Sequence, residues 1–230
     1  MTRTLVLCGG SPHAHDFESI RSALASLLGH KTVLVEHPDE FADRLSEGWD
    51  LTVVHALWWS MTGDAYDTWR EDWGYRTSAN TAEAIDRHVR EGGNLLSLHT
   101  APICFDDWPG WGDLLGGGWQ WGISSHPPKG PIEIHITGEH PITEGLPETI
   151  ALNDEVYGDL RMNSDTEVLA VAQRHPDDDE QPIIWTHRHG TGRVVHIGVG
   201  HDADSINHHD VRTLITRSAE WLTETATARA

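Results

Sequence analysis

Histidines follow the apolar segments that this sequence predicts to be strands. In chain order they are His15 after residues 5–8, His55 after 51–54, His99 after 95–98, and His201 after 194–197. Because the carboxyl ends of parallel strands meet at one edge of a sheet, we expect these side chains to converge there. Imidazole can bind a metal ion, transfer protons or hydrogen-bond a substrate. Chance placement is the alternative, since the chain has 17 histidines.

The candidate catalytic groups are His99, His201, Glu155 and Tyr157. A turn after a buried strand would project the His99 imidazole into a crevice. Glu155 would serve as a general base, a general acid or a metal ligand, and Tyr157 would protonate an oxyanion. An exposed strand edge with a buried tyrosine ring explains the segment around Glu155 equally well.

A divalent metal ion is a further expectation. The candidate ligands are His15, His99, His126 and His201, with Glu155 nearby. Imidazole and carboxylate together suit zinc, nickel or manganese. No compact motif such as H-E-x-x-H is present, so the ligands would come from separate loops.

Tryptophan is the other unusual residue, with 11 copies against only 3 Phe and 3 Tyr. Trp58, Trp59 and Trp119, together with His15, are the predicted substrate-binding residues. The C–H faces of a sugar ring stack on indole rings, so this composition favours a carbohydrate cleft. An oligomer interface, where tryptophan is also enriched, is the alternative.

The two cysteines, Cys8 and Cys104, provide neither a disulfide framework nor a four-cysteine zinc site. We expect both to be buried, unreactive thiols; a nucleophilic Cys104 is the minor alternative.

The composition of the chain limits the classes of partner that the protein is expected to bind. The chain has 230 residues and a formal charge of -20. Such a surface repels phosphate backbones, which argues against nucleic-acid binding. No apolar run reaches the roughly 20 residues that span a bilayer, and the first residues lack signal-peptide features. We expect a cytoplasmic protein with a small-molecule sugar substrate and no membrane partner, and a homo-oligomer is an open alternative.

The order of predicted elements indicates an α/β fold. Short apolar strands alternate with helical patterns through residue 98, which predicts a parallel sheet with helices on both faces. Further strands are predicted at 131–136, 168–172, 183–185 and 194–197, followed by a closing helix over 208–223. Asn80 is the predicted cap of a helix over 81–91, with Glu83 completing a capping box. We expect one domain over 1–230, a solvated hairpin loop at 176–180, and a frayed end at 225–230.

Residues 92–101 resemble the strand and nucleophile elbow of the class I glutamine amidotransferase-like fold, with His99 where that fold has its cysteine. Over nearly its full length the chain resembles the ThuA-like (trehalose utilisation) family. The shared segments are Gly9–Gly10 with His15–Phe17, Gly92–Gly93 before His99, Leu115–Gly117 with His126, His140–Thr143 with Gly145–Leu146, Asp154–Tyr157, Pro182–Trp185, Gly190–Val194, and Gly200–His201.

The resemblance implies a flavodoxin-like, doubly wound sheet with additional strands in the second half. It also implies a role in carbohydrate metabolism and a functional partnership with a sugar oxidoreductase. Because the thiolate is missing, glutamine amidotransferase activity is not expected.

Two functions from different classes follow. The first is an enzyme, a lyase, hydrolase or isomerase, that acts on a keto-sugar or 3-keto-glycoside by acid/base chemistry, with or without a metal. The second is a non-catalytic carbohydrate-binding or accessory protein on the same scaffold. A metal-dependent hydrolase of an unrelated small ester or amide is a third, weaker reading.

Overall fold

The computed structural model describes residues 2–173, 175 and 177–224. Its strands are β1 Thr4–Leu7, β2 Thr32–Val35, β3 Leu51–Val54, β4 Asn94–Leu98, β5 Gly117–Gly118, β6 Gly130–Ile136, β7 Thr149–Asp154, β8 Arg161–Met162, β9 Glu167–Ala172, β10 Gln181–His189 and β11 Gly192–Ile197. Its α-helices are α1 Phe17–Leu28, α2 Pro38–Arg44, α3 Asp67–Trp73, α4 Ala79–Arg90, α5 Gly110–Leu115, α6 Ala203–Asn207 and α7 His209–Thr223.

A nine-stranded sheet in the order β2-β1-β3-β4-β11-β10-β9-β6-β7 forms the centre of the protein. The strands from β2 to β11 pair in parallel. The strands from β10 to β7 extend the sheet with antiparallel pairing. The predicted mainly parallel α/β fold with extra strands in the second half is therefore confirmed.

Both faces of the parallel half are buried, which explains why its strands are apolar without alternation. Val6, Val53 and Leu96 belong to the core cluster that includes residues of α1 and α7. Leu5 and Leu95 belong to the opposite cluster, which includes residues of α2, α4 and α5. The helices therefore cover both faces, as predicted.

The predicted cap of α4 needs correction. Ser78, not Asn80, caps α4, because its hydroxyl accepts a hydrogen bond from the Thr81 amide. Asn80 therefore lies inside the helix, and the predicted capping box with Glu83 is wrong. Ser and Asn are both good caps, so local chemistry did not distinguish the two positions.

The predicted closing helix over 208–223 is confirmed as α7, His209–Thr223. A short helix that was not predicted, α6, precedes it at Ala203–Asn207. The tryptophan-rich segment 58–77 contains a short 3₁₀ turn at 64–66 and the helix α3.

The loop at 176–180 connects the antiparallel pair β9 and β10, as expected for a hairpin, although Pro176 itself lies outside the described residues. The predicted frayed end, 225–230, also lies outside them. Asp16 caps α1 through a 3.2 Å hydrogen bond from the Ser19 amide, so its side chain is used locally.

Candidate active site

Three histidine rings meet at the carboxyl ends of the parallel strands. The ring centroids of His15 and His201 are 4.5 Å apart, and that of His99 lies 5.2 Å from His15 and 5.3 Å from His201. One nitrogen from each ring can be chosen so that all three atoms lie within 4.8 Å of one another. We call these residues the histidine cluster.

His15 reaches the cluster from the loop after β1. Gly10 in this loop has a φ of 148°, and a Cβ there would lie 2.6 Å from the Leu57 carbonyl oxygen. Glycine is therefore required for this loop to pass so close to the chain after β3. The His15 side chain is buried, and its Nδ1 has no hydrogen-bond partner among the described residues.

His99 occupies the turn after β4 in a strained conformation, with a φ of 42°. Positive φ is uncommon for a residue with a side chain and is concentrated at functional sites. Its Nδ1 lies 3.1 Å from the Gly198 carbonyl oxygen. Because a carbonyl can only accept a hydrogen bond, Nδ1 carries the proton and the lone pair of Nε2 faces the site.

His201 follows β11 in a loop that Asp154 holds. The Asp154 carboxylate accepts hydrogen bonds from the Gly200 amide at 2.8 Å and the His201 amide at 3.3 Å. It also accepts from the Ser205 hydroxyl and, at 2.7 Å, from the amide of Glu155. Asp154 is fully buried, so this one side chain joins the end of β7 to the loop after β11.

Glu155 is the carboxylate of the site. Its Oε2 lies 3.4 Å from His126 Nδ1, 3.4 Å from His201 Nδ1 and 3.6 Å from His99 Nε2. None of these contacts has hydrogen-bond geometry, and the buried oxygen has no partner in the described structure. Burial would raise the pKa of Glu155, but its contacts with His126 and His201 hold that pKa well below its usual value.

Burial also sets the charge of the neighbouring groups. It lowers the pKa of His15 to about 2 and that of His99 to about 3. Both rings are therefore neutral at physiological pH, which allows them to lie side by side. Burial raises the pKa of Tyr157 well above its usual value, so its hydroxyl keeps its proton and points at His99 Nε2 from 3.5 Å.

A cavity of about 250 Å³ opens onto these groups. Its polar lining includes His15, Glu155, His201, Tyr157 and the half-exposed His126. The remaining lining side chains are mostly aromatic or apolar: Ala14, Leu57, Trp59, Tyr66, Trp69, Ile103, Trp119 and Trp121. His99 lies behind this lining and is fully buried.

Most of the predicted site residues share this cavity, but Trp58 does not. Its side chain packs in the core cluster of α2, α4 and α5, 6.0 Å from the Trp73 ring, and its indole N–H donates to the Glu36 carbonyl. Trp59 packs in the other core cluster and lines the cavity, so the two neighbouring rings lie in different parts of the core. Trp58 is therefore removed from the predicted substrate-binding set.

The four histidines predicted as metal ligands do not all meet in the structure. His126 touches Glu155 at the cavity rim but does not belong to the histidine cluster. An ion pair between Lys129 and Asp202 connects the segment after His126 to the loop that carries His201.

Two further residues hold the site in place, and of these only His55 was expected from the sequence to lie at this edge of the sheet. His55 lies behind the cluster, with its ring 6.0 Å from His99, and its Nε2 donates to the Gly200 carbonyl at 2.7 Å. Its position after β3 was the available signal. Nothing in the sequence indicated that Asp154, at the end of β7, faces Gly200, because Gly200 lies in the loop after β11, 46 positions away.

Neither cysteine contributes to this site. Cys104 is buried in the core, and burial raises its thiol pKa to about 12. Cys8 is buried beside α1, and burial raises its pKa as well.

The match to a known family covers almost the whole chain. The family described as trehalose utilisation, ThuA, matches residues 3–222. This chain belongs to the ThuA family. None of the curated proteins matches it significantly.

Solved structures of ThuA-like proteins share the fold. One from Parabacteroides merdae ATCC 43184 is 19% identical, with a TM-score of 0.77, and the match covers 96% of this chain and 90% of that one. Another from Bacteroides uniformis ATCC 8492 is 17% identical, with a TM-score of 0.73 and coverage of 95% and 90%. A β-galactosidase from Rahnella sp. R3 contains a similar region, which is 12% identical at a TM-score of 0.61 and covers 98% of this chain but 32% of that one.

No helix in the described part of this ThuA-family chain is both long and apolar enough to cross a membrane.

Proposed function

We propose that this ThuA-family protein is an enzyme that cleaves a 3-keto-glycoside by acid/base chemistry in the cavity beside the histidine cluster. The family description, trehalose utilisation, supports a carbohydrate substrate. One observation carries the proposal: five side chains that line the aromatic cavity carry buried polar atoms with no hydrogen-bond partner among the described residues. These atoms are Trp59 Nε1, Trp119 Nε1, His15 Nδ1, His201 Nδ1 and Glu155 Oε2.

Such a lining suits a sugar ring. Leaving a buried donor or acceptor unpaired costs about 1–3 kcal/mol. A polyol offers hydroxyl groups that both donate and accept, while its C–H faces suit the indole rings. The cavity therefore has the unmet hydrogen-bonding needs that a bound sugar would satisfy.

The reaction begins at the proton on C2, which is acidic because C2 is bonded to the carbon of the C3 ketone. Glu155, an ionised carboxylate in the cavity, removes the proton from C2 of the sugar, and the electron pair of that C–H bond forms the enolate with the C3 ketone. The enolate then collapses: the C3 carbonyl re-forms, a C1–C2 double bond forms, and the C1–O bond breaks. Water adds its hydroxyl to C1 and a proton to C2, so the net reaction is hydrolysis.

Other groups in the cavity have matching roles. The Tyr157 hydroxyl donates a hydrogen bond to the oxygen of the enolate. His126 lies at the rim, and its contact with Glu155 raises its pKa, which favours the protonated ring. His126 is therefore placed to protonate the departing alcohol.

The histidine cluster fits a divalent metal ion, and we propose His15, His99 and His201 as its ligands. The His15 and His99 rings are neutral, which ligands must be. His99 already donates its other ring nitrogen to a backbone carbonyl, the usual outer contact of a metal-bound histidine. Zinc, nickel or manganese bound there would polarise the ketone of the substrate.

Metal binding has its own test. Equilibrium dialysis of the intact protein against Zn²⁺ or Mn²⁺ should give one ion per chain, and the ion should raise the melting temperature. His201→Ala should lose both effects, whereas His209→Ala, at an exposed position, should retain them. Equal metal binding by the two variants would remove the cluster from consideration as a metal site.

The keto group of the substrate must come from a dehydrogenation at C3, so we propose that a sugar oxidoreductase acts before this protein. The decisive assay is incubation with 3-keto-trehalose, with and without a chelator, followed by mass spectrometry. We expect 3-keto-glucose and glucose as products. Tight binding without any product, under every metal supplied, would instead support a non-catalytic sugar-binding protein.

A further inference from the structure

The turn formed by residues 119–124 carries an exposed apolar surface beside the cavity. Trp121 is 46% exposed and Ile123 is 62% exposed. In the described part of the chain, these are the large hydrophobic side chains that remain exposed. Single exposed apolar residues are common, but two on one turn at the mouth of a cavity indicate a binding surface.

Hydrogen bonds hold this turn in a defined shape. The Ser124 amide donates to the Gln120 carbonyl at 2.8 Å, and the Gln120 amide donates to the Ser124 hydroxyl oxygen at 2.9 Å. The Ser124 hydroxyl in turn donates to the Asp159 carbonyl at 2.8 Å. The indole of Trp121 is therefore presented to solvent by an organised turn rather than by a loose segment.

The exposed surface is continuous with the cavity. Trp121 lines the cavity together with Trp119, and the two rings lie 6.1 Å apart at 68°. The cavity volume of about 250 Å³ is below the roughly 300–1,000 Å³ of sites that enclose drug-sized ligands. It suits one sugar ring, so a second ring joined to the first must lie outside it.

We propose that the 119–124 turn is the subsite for the second sugar ring of a disaccharide, and that this turn makes the protein selective for disaccharides over monosaccharides. The inference rests on the proposed function, because it places the reacting ring in the cavity. The second ring stacks a C–H face on the Trp121 indole and contacts Ile123 at its edge.

A second copy of the chain fits this surface less well than a sugar ring does. A stable protein interface buries about 800 Å² on each partner. A large aromatic side chain buries about 150–250 Å², so Trp121 and Ile123 alone supply much less than an interface needs. A single sugar ring matches the size of this surface.

The test compares one ring with two in a background without turnover. Calorimetric titration of the Glu155→Gln protein should show 3-keto-trehalose binding about tenfold more tightly than 3-keto-glucose. Adding Trp121→Ala should weaken the binding of 3-keto-trehalose about tenfold more than that of 3-keto-glucose, and so abolish this difference. Trp121→Phe, which keeps a flat apolar ring, should retain most of it.

Other results would contradict the subsite. Equal affinities for the two sugars before any change at Trp121, or an equal loss for both in Trp121→Ala, would overturn it while leaving the proposed function intact. A dimer that Trp121→Ala dissociates in sedimentation, with sugar affinities unchanged, would assign the turn to a protein interface. If neither sugar binds, the proposed function fails and the subsite fails with it.

Discussion

Glu155→Gln should lower kcat for cleavage of 3-keto-trehalose by about 10²–10⁴-fold, the usual contribution of a general base. Glutamine keeps the size of the side chain and an acceptor oxygen, so the cavity should still bind the sugar. It cannot take a proton from C2, because an amide is not basic. Initial rates at saturating substrate measure the effect on kcat. If the protein exchanges the C2 proton of the substrate with deuterated water, Glu155→Gln should lose that exchange in parallel.

Glu133→Gln is the matched control, because Glu133 is exposed on β6, away from the cavity lining. It should leave kcat unchanged. If Glu155→Gln retains more than a tenth of the activity, Glu155 is not the base, and one of the histidines must take that role.

Asp154→Asn should both destabilise the protein and remove its activity. The carboxylate accepts hydrogen bonds at both oxygens, from Glu155 on one and from Gly200, His201 and Ser205 on the other. In either orientation, the amide –NH₂ of asparagine would face a backbone N–H that can only donate. We expect a loss of about 3 kcal/mol in the free energy of unfolding, from at least one buried donor left unpaired.

Chemical denaturation measures this loss, and Asp43→Asn, at an exposed position on α2, should change stability by less than about 0.5 kcal/mol. Asp154 is fully buried and is not part of the lining of the candidate-site cavity, so it acts by positioning His201 and Glu155. At a temperature where Asp154→Asn stays folded, its metal affinity should therefore fall as well. A folded variant with full metal affinity and activity would rule out this positioning role.

The parallel half of the fold follows from local patterns. Buried strands such as 51–54 are apolar without alternation because both faces of the sheet are covered, and glycines such as Gly92 mark where helices end. Each of these signals is contained in a few neighbouring residues, so it survives without knowledge of the rest of the chain.

Side-chain direction was harder to predict. Trp58 and Trp59 are equally suited to a sugar cleft by type, and only the packing of the chain after β3 shows that Trp59 faces it. Ser78 and Asn80 are likewise equally suited by type to cap α4, and only the structure shows that Ser78 does so. Where two neighbours have the same chemistry, tertiary packing selects one, and the sequence pattern has no means of ranking them.

The candidate site was the hardest part of the protein to predict, because its residues are far apart along the chain. That histidines follow parallel strands is visible in the sequence, since strand order alone places His15, His99 and His201 near one edge. That Glu155 joins them depends on β7, at the far edge of the antiparallel extension, and on Asp154 reaching the loop at Gly200. Short-range propensities act over a few residues, whereas this contact closes over 46 positions. It forms because a buried carboxylate needs donors, and the folded chain is what brings those donors within reach.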